Sequence, residues 1–202
     1  MIEYLTMAPV ASIIFVLTLA MSLWAFSNPT AYARCILNPY EVSRGYRVYT
    51  VITSGLIHAD WNHLFFNMFS YYFFAFRLET MIGHWQFGLL YFASMILADL
   101  PSIQKHKEDS WYNTLGASGA ISAVVFSYIL FLPKEPLGLI IIPTIGISAW
   151  IYGVLYLVYC HFASKHARDN INHDAHFFGA VCGIIITFAL HHNIFNEFFA
   201  QF

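Results

Sequence analysis

A serine and a histidine stand at the starts of two uncharged stretches of this chain, each long enough to cross a membrane. Ser118 lies in the small-residue sequence Leu115-Gly-Ala-Ser-Gly-Ala120, and His176 lies in Ala175-His-Phe-Phe-Gly179. Serine becomes a strong nucleophile only when a base takes its proton, and histidine suits that task because its pKa lies near neutral pH. The pair therefore predicts hydrolysis of a peptide bond within a bilayer.

Two further polar residues could hold the negative charge that such an attack creates. His63 and Asn67 are four residues apart, so one helix face would carry both, and both side chains can donate hydrogen bonds. A helix that begins at Ser118 would add that residue's backbone N–H and about half a positive charge from the helix dipole. Together these donors would form an oxyanion hole, which stabilises the tetrahedral intermediate of acyl transfer.

Charged residues are scarce and unevenly spread along the chain. They make up 10% of the 202 residues, against about 25% in a typical soluble domain, and 59% of the residues are hydrophobic. Six stretches carry no charge: 4–33, 61–76, 80–98, 110–133, 136–164 and 175–196. Because a bilayer core needs roughly 20 apolar residues per helix, we expect an all-α polytopic membrane protein. Its six-transmembrane-helix bundle would form a single domain over 1–202, with spans at 8–27, 61–79, 84–102, 115–132, 137–161 and 174–196.

The order of these spans places the polar residues on one side of the membrane. Six spans put both termini on one side, so the second, fourth and sixth spans all begin on the other. His58, His63, Ser118 and His176 then share one leaflet, whichever way the protein is inserted. The longest connection, 28–60, is rich in Tyr and Arg and precedes Trp61, which predicts an ordered loop at the membrane interface.

Small residues would let two of the predicted helices touch. Ala175, Gly179 and Gly183 recur every four residues in the sixth span, a pattern that lets helix backbones approach closely. That contact would bring His176 against Ser118. Taken singly, each residue also has an ordinary explanation, because serine and asparagine in membrane helices often serve packing alone. Their convergence at one depth favours a functional site.

The remaining composition argues against several other classes. The net charge is −2 and no basic stripe indicates nucleic-acid binding. Residues 1–7 hold Glu3 and no Lys or Arg, which argues against a cleavable signal peptide. The cysteines, Cys35, Cys160 and Cys182, form no CxxC pair, so a disulfide framework is not expected.

Three motifs in this chain resemble those of the rhomboid family of intramembrane serine proteases, in its compact bacterial form. Gly116-Ala-Ser-Gly119 looks like the family's GxSG motif, and Ala175 to Gly183 looks like its AHxxGxxxG. His58-Ala-Asp-Trp-Asn-His63, followed by Leu-Phe-Phe-Asn67, looks like its HxxxxHxxxN. The motifs fall in the family's order on the second, fourth and sixth spans, so the resemblance covers nearly the whole chain.

The resemblance implies a serine endopeptidase that uses no cofactor and no metal. It implies a Ser118–His176 dyad, an oxyanion hole from His63, Asn67 and the Ser118 N–H, and structural roles for Glu79 and Arg47. Its substrates would be single-span or polytopic membrane proteins within the lipid bilayer. It also implies a multi-pass protein of the bacterial inner (cytoplasmic) membrane with both termini in the cytoplasm. Seven of the nine Lys and Arg follow the first, third and fifth spans, and by the positive-inside rule they indicate the reverse orientation.

The chain departs from the family's pattern at several places. Many relatives carry Tyr four residues after the serine, stacked on the catalytic histidine, and this chain has Ser122. The family's Trp-Arg pair in the first loop appears as Tyr46-Arg47, and the soluble domain that precedes the first span in larger relatives is not expected here. Pro143 predicts a kink in the fifth span. The family suggests that this span and the loop 162–173 move to admit substrate.

Three other functions remain open on the sequence. A small transporter or channel would also cluster polar residues in a membrane and break a helix with proline, although no inverted repeat is visible. A metal or haem protein could use four histidines, namely His58, His63, His173 and His176. HExxH is absent, however. A catalytically silent rhomboid-like protein that binds membrane clients should lack the serine or the histidine, and this chain has both.

Overall fold

The computed structural model of this chain describes residues 6–139, 142–166 and 171–202. Helices dominate these residues, and one antiparallel strand pair interrupts them. In chain order the elements are α1 Pro9–Ser27, α2 Pro29–Cys35, α3 Pro39–Val42, α4 Thr50–Thr53, a 3-10 turn at Ser54–Leu56, α5 Trp61–Ile82, α6 His84–Lys105, α7 Ser118–Phe131, β1 Pro136–Leu139, β2 Ile142–Ser148, α8 Ala149–His166, α9 His173–Leu190 and α10 Ile194–Phe199.

Three of the helices in the described ranges, α1, α6 and α9, are long and apolar enough to cross a membrane. Helices α5 and α8 have 22 and 18 residues, but their histidine, tyrosine and charged side chains make them less apolar. Helix α7 is apolar and has 14 residues. The helical membrane architecture agrees with the sequence prediction, while three helices rather than six meet both the length and the polarity requirement.

The helix predicted over 137–161 is wrong in its first part, where the structure has two strands. The fold is therefore mostly helical with one small sheet, rather than all-α. There β1 and β2 pair antiparallel, with Pro136 opposite Ser148, and the helix begins only at Ala149. Proline lacks the N–H that a helix interior requires, and the β-branched residues of this stretch fit strands. Hydropathy alone does not separate an apolar strand from an apolar helix. The kink predicted at Pro143 is also wrong, because Pro143 lies in β2, before α8.

Helix α7 lies at the centre of the bundle. Every residue from Gly119 to Leu130 is buried. A Cβ added to Gly179 would collide with the backbone carbonyl of Gly119, and one added to Gly183 would lie 2.6 Å from the Cα of Ala123. Helices α7 and α9 therefore touch backbone to backbone along the small-residue stripe that the sequence predicted.

A buried carboxylate joins α1 to α5 at one end of the bundle. Glu79 is fully buried and accepts hydrogen bonds from the N–H groups of Val10, at 3.1 Å, and Ala11, at 2.6 Å. These N–H groups lie in the first turn of α1, where no carbonyl of the same helix can reach them. A carboxylate also matches the positive end of the helix dipole. Glu79 thus has the structural contacts that the resemblance implied, at the end of α5 opposite His63.

The long first loop is ordered, as predicted, and packs at the other end of the bundle. It contains α2, α3, α4 and the 3-10 turn. Arg47 has a φ of 50° and donates to three backbone carbonyls within 33–36, while its guanidinium pairs with Glu41 at 2.7 Å. Leu37 forms a two-way backbone bridge with Thr114, at 3.1 and 2.9 Å. The loop therefore holds the segment that leads into α7.

Candidate active site

Ser118 is the first residue of α7, which is shorter than the helices around it. At about 1.5 Å per residue, 14 residues extend roughly 21 Å, well short of the roughly 30 Å of a bilayer's hydrocarbon core. A Cβ added to Gly119 would lie 3.0 Å from the Cβ of Ala98, seven residues before α6 ends, so α6 extends beyond the start of α7. Ser118 thus lies beside a longer helix that rises past it.

The backbone just before Ser118 is shaped by a glycine. Gly116 has a φ of 114°, in the left-handed region that favours glycine, and its N–H donates to the carbonyl of Ser54 at 2.9 Å. A Cβ at this position would lie 2.7 Å from Cε1 and 2.8 Å from Nε2 of His63. The imidazole of His63 therefore lies directly against the turn that carries Ser118, and only glycine leaves room for it.

A cavity of about 180 Å³ lies between α5, α7, α8 and α9. Ser118 and His176 both line it, and Asn67 lines it from α5. The remaining lining residues are Phe66, Ser70, Ile121, Ser122, Val125, Phe126, Tyr152 and Tyr156. The structure thus brings the predicted nucleophile, the predicted base and one predicted oxyanion donor to the wall of one cavity.

The ring of His176 lies parallel to the ring of Tyr156. The two centroids are 6.4 Å apart and the ring planes differ by 13°. Tyr156 belongs to α8, and its hydroxyl lies 2.8 Å from the hydroxyl of Ser122 on α7. Ser122 is the residue that replaces the family's stacking tyrosine, so here an aromatic ring from a different helix faces the histidine, and Ser122 holds that ring in place.

Asn67 and His63 occupy successive turns of α5. The Asn67 amide donates one hydrogen to the backbone carbonyl of His63 at 2.9 Å, which leaves its second hydrogen for a group in the cavity. The N–H of His63 donates to the side chain of Asp60 at 2.9 Å, which caps the start of α5. These two bonds fix the helix start and the amide orientation.

His58 lies behind His63 and is fully buried. Its Nδ1 shares a hydrogen bond with the hydroxyl of Ser22 at 2.9 Å, and its ring meets the ring of His63 edge to face at 4.8 Å. Burial and, less strongly, the nearby His63 lower the pKa of His58 to about 3, although Asp60 opposes them. His58 is therefore neutral at physiological pH and supports His63 rather than facing the cavity.

Asn172 holds the start of α9, which carries His176. Its side-chain oxygen accepts from the N–H of Ala175, and from the hydroxyl of Ser102 on α6, both at 3.0 Å. Its amide donates to the hydroxyl of Thr114 at 3.1 Å. One asparagine therefore ties α9 to α6 and to the segment before Ser118.

The four histidines considered for a metal or haem site do not come together. Among the described residues, the one group of three or more metal-ligating side chains joins Cys160, His173 and His176. His58 and His63 lie elsewhere, beside α1 and Gly116. Of the loop predicted over 162–173, residues 162–166 form the last part of α8, and 167–170 lie outside the described residues.

Comparison with known proteins decides the family. A family model of the rhomboid domain matches residues 45–193, more than half of this chain. The chain belongs to the rhomboid family. The matched residues of this rhomboid include all four predicted site residues, His63, Asn67, Ser118 and His176.

Three curated proteins show the reach of the similarity. "Putative rhomboid protease YdcA" of Bacillus subtilis (strain 168) is 29% identical over 183 residues, which cover 86% of this rhomboid and 85% of that protein. "Presenilin-associated rhomboid-like protein A, mitochondrial" of Danio rerio is 26% identical over 124 residues, 61% of this chain and 29% of that protein. "Rhomboid-like protein 11, chloroplastic" of Arabidopsis thaliana is 26% identical over 159 residues, 70% of this chain and 52% of that protein. This rhomboid thus spans most of the bacterial relative and about half or less of the two organellar ones.

Two residues of the site were not predicted from the sequence. Tyr156 lies 34 positions after Ser122, on another helix, and a single sequence does not reveal such a contact. Asn172 could have been found, because an asparagine before Asp174 and Ala175 at the start of an apolar run is a typical helix N-cap.

Proposed function

We propose that this rhomboid is an intramembrane serine endopeptidase that cleaves transmembrane segments of membrane proteins with a Ser118–His176 dyad. The observation that carries the proposal is the single cavity lined by Ser118, His176 and Asn67, at the start of the short central helix. A nucleophile, a base and an amide donor on one wall are the groups that acyl transfer requires.

In the proposed reaction, the Ser118 oxygen attacks the peptide carbonyl while His176 takes the serine proton. The carbon–nitrogen bond then breaks as His176 returns that proton to the leaving amine, which leaves an ester on Ser118. Water attacks the ester, with His176 again as base, and the acid product departs. Tyr156 is proposed to hold the imidazole in orientation, the task that a carboxylate performs in a three-residue triad.

The oxyanion would be held by His63, Asn67 and the backbone N–H of Ser118. One amide hydrogen of Asn67 is donated to the backbone carbonyl of His63. The second is available to a group in the cavity, which Asn67 lines. The N–H of Ser118 belongs to the first turn of α7, where helix N–H groups have no intrahelical acceptor. His63 lies against Gly116, two residues before the nucleophile. Donors aimed at the developing charge lower the barrier of the attack.

The substrates that fit such a site are single-span or polytopic membrane proteins, and the chemistry proposed needs no cofactor. The helices around the cavity present apolar side chains such as Phe66 and Val154 on the outside of the bundle, and we propose that substrate reaches the cavity from the lipid. We place the protein in the bacterial inner (cytoplasmic) membrane with both termini in the cytoplasm. A membrane-impermeant thiol reagent would test this on a Ser110→Cys variant, since that position should be labelled in cells from outside the cytoplasm.

A serine-directed reagent tests the dyad. A fluorophosphonate should label the detergent-solubilised protein at Ser118, and Ser118→Ala or His176→Ala should abolish both labelling and cleavage of a transmembrane-segment substrate. Ser70→Ala is the matched control, because Ser70 lines the same cavity and should leave labelling intact. Labelling that survives in Ser118→Ala would refute the assignment of the nucleophile. A client-binding protein without activity would bind the substrate, release no fragment and remain unlabelled.

A further inference from the structure

Two metal-ligating side chains lie beside the proposed base, His176, and the proposed reaction uses neither of them. Cys160 of α8 and His173 and His176 of α9 each offer one ligand atom, and these atoms all lie within 4.8 Å of one another. Cys160 and His173 are buried, and His176 is partly exposed to the cavity. A thiol and two imidazoles are the ligand types that zinc prefers in proteins.

The geometry of the cluster is close to that of a bound zinc ion. Zinc–nitrogen distances of about 2.0–2.1 Å and zinc–sulfur distances of about 2.3 Å put the ligand atoms of a tetrahedral site roughly 3.5 Å apart. Atoms that already lie within 4.8 Å need to close by about an ångström, which side-chain rotation can supply. His173 and His176 are three residues apart on α9, so one helix face presents both. Three protein ligands would leave the fourth position of a tetrahedral ion to a water molecule.

We propose that Cys160, His173 and His176 form an inhibitory binding site for Zn²⁺. Binding replaces the thiol proton of Cys160 with the metal and releases that proton to water, so no oxidant or reductant takes part. The metal also occupies a nitrogen lone pair of His176. An imidazole whose lone pair is bound to zinc cannot accept the proton of Ser118, and the nucleophile stays unactivated. The inhibition rests on the proposed function of His176 as a base. Metal binding by the three side chains does not depend on that function.

The same site would fasten α8 to α9. Its ligands come from both helices, and Tyr156 lies one turn before Cys160 on the face of α8 that meets His176. A metal that bridges the two helices opposes any separation between them. Zinc would therefore act twice, by withdrawing the base and by closing the gap between α8 and α9.

Cobalt reports on the site without any need for activity. Co²⁺ takes the tetrahedral positions of Zn²⁺, and a bound thiolate gives a charge-transfer absorption that oxygen and nitrogen ligands do not. We expect this absorption when Co²⁺ is added to the purified full-length protein in its inactive Ser118→Ala form. Cys160→Ser should remove the absorption, and Cys182→Ser, which changes a cysteine of α9 outside the cluster, should keep it. Absence of the absorption, or its persistence in Cys160→Ser, would overturn the site.

Zinc inhibition is then measured with a transmembrane-segment substrate. Zn²⁺ should stop cleavage by the Ser118-containing protein, a chelator should restore it, and Cys160→Ser should raise the half-inhibitory Zn²⁺ concentration at least tenfold. Each variant is compared with its own zinc-free rate, and Cys182→Ser should match the parent protein. Cleavage that Zn²⁺ leaves unchanged would overturn the inference and leave the protease intact. Cobalt binding through Cys160 in a protein that cleaves nothing would instead refute the proposed function, and the inhibitory role with it.

Discussion

The hydroxyl groups of Ser122 and Tyr156 lie 2.8 Å apart and join the central helix α7 to α8. The aromatic ring of Tyr156 in turn lies parallel to the imidazole of His176. Ser122 is one turn after Ser118 on α7, and its side chain is too short to stack on the histidine itself. The ring is supplied from α8 instead, so the orientation of the proposed base depends on how α8 packs against α7.

This relationship predicts a graded loss of activity. Tyr156→Phe keeps the ring and removes the hydrogen bond, which is worth about 1 kcal/mol, so kcat should fall about fivefold. Tyr156→Leu removes the ring as well and should lower kcat by about tenfold or more, with KM little changed. Cleavage of a transmembrane-segment substrate gives kcat and KM, and the rate of serine labelling reports on the nucleophile directly.

A double-mutant cycle separates this positioning role from general packing. Ser122→Ala and Tyr156→Phe each break the same hydrogen bond, so the double variant should be scarcely worse than either single one. Additive losses would show that the two hydroxyls act independently. A drop in thermal stability that parallels the loss of kcat in all variants would indicate a packing role alone.

The two proposed oxyanion donors should affect the rate rather than substrate binding. His63→Ala and Asn67→Ala should each lower kcat by roughly 10²–10³ if the side chain is a principal donor, because the developing charge exists only in the transition state. His63→Ala should in addition disturb the turn at Gly116, since it also removes the ring that packs on that residue. Changes confined to KM at both positions would contradict the assignment.

The order of the predicted spans indicated where the site residues would lie more accurately than it indicated the helices and strands themselves. The parity of six spans placed His63, Ser118 and His176 at one end of the bundle without any side-chain geometry, and the structure has them there. Three described helices rather than six meet the membrane-span requirement, so the count of six on which the parity argument rests stays a prediction.

What the sequence did not predict falls into two physical kinds. The strands over 136–148 share the apolar character of a helix, so the hydropathy pattern could not separate the two, and only the prolines and β-branched residues argued for strands. The contact between Ser122 and Tyr156 depends on how two helices rotate against each other. Packing decides that rotation, and residue types along one chain do not.

The backbone contact between α7 and α9 should tolerate no added methyl group. In Gly179→Ala the new Cβ would collide with the carbonyl of Gly119, and backbone cannot move aside as a side-chain tip can. We expect a loss of at least about 1–3 kcal/mol in stability, with His176 displaced from Ser118 and cleavage lost. Gly88→Ala on α6 is the matched control. There the nearest atom is a Val10 methyl carbon at 3.6 Å, so alanine fits and should stabilise the helix by up to about 1 kcal/mol. Thermal denaturation in detergent measures both.

His58 should make the folded protein sensitive to acid. Burial lowers its pKa to about 3, whereas the unfolded chain takes up a proton near pH 6.5. The unfolded state therefore binds more protons between these values, and stability falls as pH drops from about 6.5 toward 3, by up to about 1.4 kcal/mol per pH unit. His58→Asn should flatten the dependence of the melting temperature on pH in this window. His192→Asn, at an exposed position, should not, and an unchanged slope in His58→Asn would show that another group carries the effect.

Substrate choice should follow from the size of the cavity beside Ser118 and from the stability of the substrate helix. Backbone hydrogen bonds shield the carbonyls of a transmembrane helix, so the segment must unwind before Ser118 can attack, and residues that weaken a helix should promote cleavage. Beside Ser118, a second cavity of about 10 Å³ is lined by Gly116 and Gly119, which leaves room for only a small side chain before the cut. A panel of single-span substrates tests both points by varying the residue before the cut from Ala to Phe and the residues after it from Leu to Gly. We expect kcat/KM to fall by tenfold or more from Ala to Phe and to rise when Gly replaces Leu. Equal cleavage across the panel would show that neither the cavity nor local unwinding governs which bond is cut.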